Sequence, residues 1–310
     1  MKRYVWITFV LGVLTYAPAR AAEEHFHYYV TFVVALAVGW SWEEARLIAS
    51  ADLAVDRNEE TIASLEITGR SRLLHVSPKS LRFHCFSATD DRRASRDHSR
   101  NPDVLENLAS LEERANTAIA QARQSQNSSE ITQALVAIGV YLHCQQDSWF
   151  HSGFGGQWDG HALESFFAAI FGTPDPDQAA ARPAKTERAL NEMVEKLIHF
   201  RRRWGGSTNE LTPSDLERLK RLLTHPLTKK MTKRERAVCA QRLAGHWLHQ
   251  LLSGKIRSGV PRDNIQNSMK LSARCWRVHT EVFSESSSSA WVVEPAALPL
   301  KLELDGSLAK

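Results

Sequence analysis

Residues 130–151 read EITQALVAIGVYLHCQQDSWFH and have the length and composition of a buried helix. Apolar side chains occur on every side of this segment, which is typical of a helix at the centre of a protein. Its last turns nevertheless carry His143, Asp147 and His151, each four residues after the one before. Residues spaced by four lie above one another on a helix. The segment therefore predicts a central helix, from Glu130 to Phe150, with one polar stripe.

That polar stripe predicts a metal site. Two imidazoles and a carboxylate are costly to bury in an apolar helix without a partner. A divalent cation is a natural partner, because imidazole nitrogen and carboxylate oxygen both suit zinc. A set of buried, hydrogen-bonded polar groups is the alternative. His161 and Glu164, which follow a glycine-rich turn and share one helix face, are expected to join the site.

Two carboxylates on an earlier helix indicate the same chemistry. Ser41 and Glu44 form a capping box that opens a predicted helix ending at Asp56. Asp52 and Asp56 lie four residues apart on it, and such a pair repels unless a positive charge lies between the two. Solvent exposure is the alternative for both residues. If they face a metal, either could orient or deprotonate an attacking water.

Histidines outside the central helix could complete the ligand set. His25 and His27 begin a predicted first helix that runs to Val38. His84 lies between apolar residues in a long, partly irregular connection over residues 69–101. Connections of this length in compact domains usually have a function. Taken singly, each of these histidines is more often structural than a ligand.

The rest of the chain predicts further helices and an irregular end. We expect a mostly α fold, a multi-helix bundle around a His/Asp metal site. Residues 22–200 would form the metal-binding domain, and residues 201–310 a helical extension with an irregular tail. The helices expected outside the metal site are Asp103–Gln124, Thr186–Trp204, one from the Thr212 cap to His225, and Lys233–Ser253.

The N-terminus predicts a secretory signal peptide over residues 1–21. Lys2 and Arg3 precede an apolar run, Tyr4 to Tyr16, that is too short to span a bilayer comfortably. Ala19-Arg20-Ala21 offers small residues at the spacing that a signal peptidase reads. An uncleaved membrane anchor is the alternative. The mature protein is therefore expected to be secreted or periplasmic.

Net charge argues against a global attraction to polyanions. The chain carries a formal charge of +4, and the predicted signal peptide holds three of its basic residues. The mature chain would be close to neutral, so charge alone would not draw it to nucleic acid or to an anionic membrane. The basic cluster Lys229 to Arg236 is typical of a solvated helix face.

Four cysteines, Cys85, Cys144, Cys239 and Cys275, allow two disulfides in an oxidising compartment. Three pairings are possible, and the sequence does not choose among them. By position, one bond would join the two cysteines of the first half and another the two of the second. The sequence contains no C-x-x-C arrangement, so a thiolate zinc site is not expected.

The order of these residues carries a resemblance to known families. The order His, Asp, His, followed by His143-x3-Asp147, His151 and the His161/Glu164 pair, resembles the zinc-dependent phospholipase C family and the related fungal single-strand-specific zinc nucleases. A closer resemblance, to an uncharacterised bacterial family that shares this core, is carried by His27-Tyr-Tyr-Val-Thr-Phe, Ala51-x4-Asp56, Phe83-His84 and His143-x3-Asp147-x3-His151. The resemblance covers about residues 24–200.

In the phospholipase family a mostly helical fold holds three zinc ions, which activate water against a phosphodiester. The resemblance implies that His143 and Asp147 hold a central pair of metals, with Asp147 bridging the two. His84 would complete one of these sites together with an upstream carboxylate, either Asp52 or Asp56.

The resemblance implies a further metal held by His151, His161 and Glu164, and a third served by His27 with His25. Two features depart from the family pattern. The family's last His/Glu pair is usually four residues apart rather than three, and its N-terminal Trp ligand has no counterpart at the predicted mature terminus. We therefore expect one to three zinc ions.

The expected function is a secreted zinc-dependent hydrolase of phosphoesters, either phospholipids or nucleotides, that uses metal-activated water. The rival interpretation is a non-catalytic exported helical protein with a structural metal, acting as a binding or envelope module. A lipid substrate would bring peripheral contact with a membrane. No dedicated nucleic-acid surface is evident in the sequence.

Overall fold

A computed structural model describes most of the chain between residues 25 and 231 and isolated residues beyond. The described residues are 25–58, 61, 65–67, 74–76, 78–87, 100–152, 178–209, 211–231, 235–236, 239, 266–267, 275, 277–278, 281 and 291–292. The predicted signal peptide, the glycine-rich turn, the pair His161 and Glu164, and most of the predicted helix Lys233–Ser253 lie outside these ranges.

The described part of the chain is mostly helical, which confirms the predicted multi-helix fold. Its seven α-helices are α1 (Thr31–Ala37), α2 (Trp42–Val55), α3 (Pro78–Phe83), α4 (Pro102–Ser125), α5 (Ser128–Phe150), α6 (Pro183–Trp204) and α7 (Pro213–Leu223). A π-helical turn, His25–Val30, leads into α1, and two 3-10 turns cover Ala179–Ala181 and Thr228–Lys230.

Four short strands accompany the helices in the described residues. Strand β1 (Leu65–Ile67) pairs antiparallel with β2 (Leu74–Val76), with Glu66 opposite His75. Strand β3 (Gln266–Asn267) pairs antiparallel with β4 (Trp291–Val292). Strand β2 and helix α3 lie within residues 69–101, the connection that the sequence predicts as partly irregular, and β1 directly precedes it. This connection therefore contains ordered elements.

Helix α5 lies at the centre, as predicted from its composition. Every residue from Ile138 to Ser152 is buried. The helix packs against α2, α4 and α6, and its apolar residues belong to one continuous core with theirs. A helix enclosed in this way must satisfy or neutralise every polar group that it carries.

A two-residue turn makes α4 and α5 antiparallel neighbours. Gln126 adopts a left-handed conformation with φ of 52° and its N–H donates to the carbonyl of Ala122, which ends α4. Asn127 then caps α5 by accepting a hydrogen bond from the N–H of Ser129. A connection of two residues is too short to separate the helices, so they pack side by side.

The predicted capping box at the start of α2 is confirmed. The Ser41 hydroxyl accepts from the N–H of Glu44, and the Glu44 carboxylate accepts from the N–H of Ser41 at 2.9 Å. The same carboxylate accepts from the indole N–H of Trp204 at 2.8 Å. One residue therefore both begins α2 and fastens it to the end of α6.

Two predicted helix starts differ from the structure. The first helix opens with the π-helical turn at His25 and becomes α-helical only at Thr31. Helix α6 begins at Pro183 rather than Thr186, because proline suits the first turn of a helix, where its missing N–H leaves no bond unmade. Helix α6 also runs past residue 200, the predicted division between two domains, and α7 packs against it.

Both disulfides join the cysteines that lie in the same half of the chain. Cys85 pairs with Cys144, whose Cα atoms lie 5.1 Å apart, and Cys239 pairs with Cys275 at a Cα separation of 5.5 Å. Among the described residues, no helix has both the length and the apolar character needed to cross a membrane.

Gly139 sets how closely α5 approaches α2. A Cβ atom at this position would collide with the carbonyl oxygen of Ile48 and would lie 2.6 Å from the Cβ of Ala51 and 2.9 Å from the amide nitrogen of Asp52. The two backbones can therefore approach this closely only because residue 139 has no side chain.

We predict that Gly139→Ala destabilises the protein, although alanine is normally the better helix former. Overpacking of a tight contact costs about 1–3 kcal/mol, which exceeds the propensity gain. Urea denaturation followed by circular dichroism measures the change. Gln133→Ala, on an exposed face of the same helix, is the control and should leave the midpoint nearly unchanged. A variant as stable as the parent would contradict the proposed contact.

Candidate metal centre

Four segments bring six of the predicted site residues together. The π-helical turn supplies His27, the end of α2 supplies Asp52 and Asp56, the residue after α3 is His84, and α5 supplies His143 and Asp147. The side chain of Asp56 is 12% exposed, whereas the other five have no exposed surface. The centre is therefore nearly closed, and Asp56 lies at its solvent side.

One part of the centre is formed by His84 and His143. Nδ1 of His84 lies 3.0 Å from Nε2 of His143. Oδ2 of Asp147 lies 2.9 Å and 3.1 Å from these two nitrogens, and Oδ1 of Asp56 lies 3.7 Å from each. The ligands of a tetrahedral zinc ion are separated by about 3.3 Å, given metal–ligand bonds near 2 Å. These atoms thus have the spacing of a zinc ligand set.

Each of the three imidazoles has one nitrogen that faces away from the centre. The hydrogen bond made by that nitrogen indicates that the opposite nitrogen can bind a cation. Nε2 of His84 donates to the backbone carbonyl of Thr61 at 2.9 Å. Nδ1 of His27 and Nδ1 of His143 face Oδ1 of Asp52 at 2.9 Å and 3.3 Å. A carbonyl and an ionised carboxylate only accept, so these three nitrogens carry the hydrogens. The opposite nitrogens, which face the centre, can bind a metal.

A second part of the centre lies around His27. Its buried Nε2 atom lies 3.3 Å from the buried Oδ1 of Asp147, close enough for an ion pair, but neither atom makes a hydrogen bond of good geometry with a described residue. Oδ2 of Asp56 lies 3.9 Å from that nitrogen. A cation that took the place of the imidazole proton would have Nε2 of His27 and Oδ1 of Asp147 as ligands, so this pair could hold a second metal ion.

The two parts share their carboxylates. Asp147 directs one oxygen to His84 and His143 and the other to His27. Asp56 does the same at longer distances. A carboxylate that faces two ligand groups can bridge two cations, so this arrangement could hold two adjacent divalent ions. His27, Asp52 and His143 are also close enough to one another to hold a metal ion. However, the imidazole nitrogens that face Asp52 carry hydrogens, so Asp52 accepts hydrogen bonds from them and is not assigned as a metal ligand.

In the metal-free protein, positive charge comes from the imidazoles. Burial alone would lower the pKa of His27, but the negative charge of Asp52 outweighs it and the pKa rises well above 6.5. Burial likewise opposes charging of His143, yet Asp147 and Asp56 raise its pKa to about 9. Burial would raise the pKa of Asp147, but the charge of His143 holds it well below 3.8.

The remaining predicted site residues are only partly described. Nε2 of His151 lies 3.7 Å from Oδ2 of Asp147, and its ring packs on Phe86 at a centroid distance of 4.0 Å. His151 therefore borders the centre. His161, Glu164 and the side chain of His25 lie outside the described part of the chain, so their roles as ligands stay predictions.

Sequence reasoning missed two residues of the centre, Thr31 and Gln146. Both donate to Asp52. Thr31 begins an otherwise apolar helix, whereas Gln146 lies in the polar last turns of α5 beside Asp147. The cost of burying a polar group, which singled out the histidines, applies equally to a buried glutamine. The sequence predicts that Asp52 or Asp56 activates water. Asp56 fits this role better than Asp52, because of the two only Asp56 is exposed to solvent.

Residues 23–163 match the model of a family of unknown function, DUF6765. The matched segment contains all six residues of the centre. No curated protein and no solved structure shows a significant match to the chain.

We predict that the metal-free protein is most stable between about pH 4 and pH 6.5. His143 has a folded pKa of about 9 against 6.5 for the free side chain, so its contribution is complete below pH 6.5 and is lost as the pH rises through 9. Asp147 has a depressed pKa, so its contribution is present above pH 3.8 and is lost as the pH falls further. Urea denaturation in EDTA over this range tests the prediction, and a free energy of unfolding that increases from pH 6.5 to 9 would contradict it.

We predict that His143→Ala loses both bound metal and thermal stability, because the change removes a metal-facing nitrogen and a donor to Asp52. Elemental analysis of the purified protein and thermal melting with and without zinc measure the two effects. The control is His199→Ala, on α6 and half-exposed, which should keep the parental metal content. Equal metal content in the two variants would remove His143 from the ligand set.

Proposed function

We propose that this protein is a zinc-dependent hydrolase that cleaves phosphoesters with metal-activated water. The observation that supports this function is the pair of carboxylates, Asp56 and Asp147, that each face His27 on one side and His84 and His143 on the other. Such a centre offers more ligand atoms than one closed tetrahedral ion uses, so room for a second cation and for substrate oxygens is part of the arrangement.

The donor set favours zinc. It consists of imidazole nitrogens and carboxylate oxygens, which suit zinc better than the oxygen-only sets that calcium and magnesium prefer. Thiolate ligation is excluded at Cys85 and Cys144, although each directly follows a ligand histidine, because their sulfurs are joined in a disulfide.

The proposed roles of Asp147 and Asp56 differ because Asp147 is buried and Asp56 is partly exposed to solvent. Adjacent divalent cations, when bound, neutralise phosphoryl oxygens and lower the pKa of water to near neutrality. The buried carboxylate of Asp147 would hold the ions in place. Asp56, at the solvent side, is positioned to accept a proton from the attacking water or to orient it toward phosphorus.

The substrate class follows from this chemistry as a proposal. Two bound divalent cations would carry more positive charge than the three carboxylates carry negative charge. The loaded centre would therefore bind phosphodiesters such as phospholipids or nucleotides, and a lipid substrate would bring the protein into peripheral contact with a membrane. The two disulfides are compatible with an oxidising compartment. Secretion through the predicted signal peptide is part of the same proposal.

A structural metal is the second candidate, and the burial of the centre favours it. Five of the six side chains have no exposed surface, as expected for a closed site that stabilises a fold. In that case the protein would be a non-catalytic exported module, and its metal would raise its stability without promoting any reaction.

We predict that the full chain loaded with zinc hydrolyses bis(p-nitrophenyl) phosphate, that EDTA abolishes this activity, and that added zinc restores it. Asp56→Asn should lower kcat by more than about 100-fold, because a positioned proton acceptor contributes at least that much. Glu43→Gln, an exposed carboxylate on the same helix, is the matched control and should retain activity.

The same assay separates the two candidate functions. p-Nitrophenyl phosphate and phosphatidylcholine vesicles complete the substrate panel by testing monoesters and lipids. A protein that binds zinc and melts at a higher temperature with it, yet hydrolyses none of the three, would support the structural role. A protein that binds no zinc would contradict both.

A further inference from the structure

We propose that Asp52, Thr31 and Gln146 form an orienting network that fixes the metal-facing nitrogens of His27 and His143. The members of this network are positioning residues and not metal ligands. The inference rests on the metal centre of the proposed function, but it does not depend on whether the centre is catalytic.

One oxygen of Asp52 serves both histidines. Oδ1 accepts from Nδ1 of His27 at 2.9 Å and faces Nδ1 of His143 at 3.3 Å. The two rings stack on each other, with centroids 4.1 Å apart and planes at 24°. A single carboxylate oxygen therefore places the hydrogen of both rings on Nδ1, so that both Nε2 atoms would be available to hold a cation. A carboxylate in this position also makes the imidazole a stronger ligand.

The other oxygen of Asp52 is held by two donors. The Thr31 hydroxyl donates to Oδ2 at 2.7 Å, and the Gln146 amide nitrogen donates to the same oxygen at 2.7 Å. The amide nitrogen also donates to the Thr31 hydroxyl at 2.9 Å. These three groups close a ring of hydrogen bonds in which every donor is used. The plane of the carboxylate is then fixed, and Oδ1 stays between the two imidazoles.

The Gln146 side chain makes its hydrogen bonds with Asp52, Thr31 and the sulfur of Met193. Its side chain is buried, and its carbonyl oxygen has no hydrogen-bond partner among the described residues. A buried amide with an unpaired oxygen destabilises a fold, and a methionine would fill the same space beside Met193 without that cost. What only the glutamine supplies is the donation from its amide nitrogen to Asp52 and Thr31.

The neighbouring residue provides a matched control. Gln145 lies on the same helix, is equally buried, and likewise has a carbonyl oxygen with no hydrogen-bond partner in the described part of the chain. Its amide nitrogen donates to the carbonyl of Ala189 and to the carboxylate of Glu192, away from the centre. Gln145→Met and Gln146→Met thus remove the same group from the same helix, and only the second affects Asp52.

The test compares the zinc affinities of the full-length parent and the two variants by competition with a chromophoric chelator. Gln146→Met should weaken zinc binding by roughly 10- to 100-fold, the usual effect of losing an outer hydrogen-bond partner. Gln145→Met should bind as tightly as the parent. Cobalt(II) absorption gives a second measure, because a loosened centre changes the visible bands of the bound ion whereas a distant packing defect does not.

Thr31 provides a test by rescue. Thr31→Val keeps the shape of the side chain but removes the donor to Asp52, and Thr31→Ser keeps the donor. Weakened zinc binding in the valine variant together with parental binding in the serine variant would support the network, even if Gln146→Met failed to fold. Equal affinities in all the variants would overturn the inference and leave the metal centre standing. A parent that binds no zinc would overturn the proposed function, and the network with it.

Discussion

The burial of three carboxylates inside an apolar helix bundle is the constraint on which the rest of the structure depends. Asp52 and Asp147 have no exposed surface and Asp56 has little, so their charge must be neutralised within the protein. Three imidazoles and two donors surround them. In the metal-free state, the neighbouring carboxylates raise the pKa values of His27 and His143, which favours a positive charge on these two imidazoles. Cations would replace the protons that carry this charge, so binding a metal would release them.

The helices place these groups through simple geometry. The four-residue spacing on α5 aligns His143 with Asp147, and the same spacing on α2 aligns Asp52 with Asp56. The two helices must then approach closely enough for their polar stripes to meet. Gly139, one turn before His143, permits that approach by presenting only backbone to the turn of α2 that contains Asp52. The close contact between α2 and α5 therefore both completes the core and brings the polar residues of the centre together.

Some of this could be predicted from the sequence, and the physical reasons are clear. Three features depend only on residues that are close in sequence, so the sequence predicts them. They are the apolar character of α5, its polar stripe and the Ser41/Glu44 cap. The position of His84 is not local, because it lies 59 residues before His143 and reaches it only through tertiary packing. The roles of Thr31 and Gln146 depend on which oxygen of Asp52 each contacts. The π-helical turn at His27 also has no recognisable local signal in the sequence.

The Cys85–Cys144 disulfide bears on the affinity of the centre for a metal. Each of its cysteines directly follows a histidine of the centre, so the bond holds His84 beside His143 before any cation arrives. Closing the loop between them costs chain entropy, and oxidation meets that cost independently of the metal. A chain with reduced thiols lacks this preorganisation of the two histidines. If a metal binds at the centre, the oxidised chain would therefore bind it more tightly than the reduced chain.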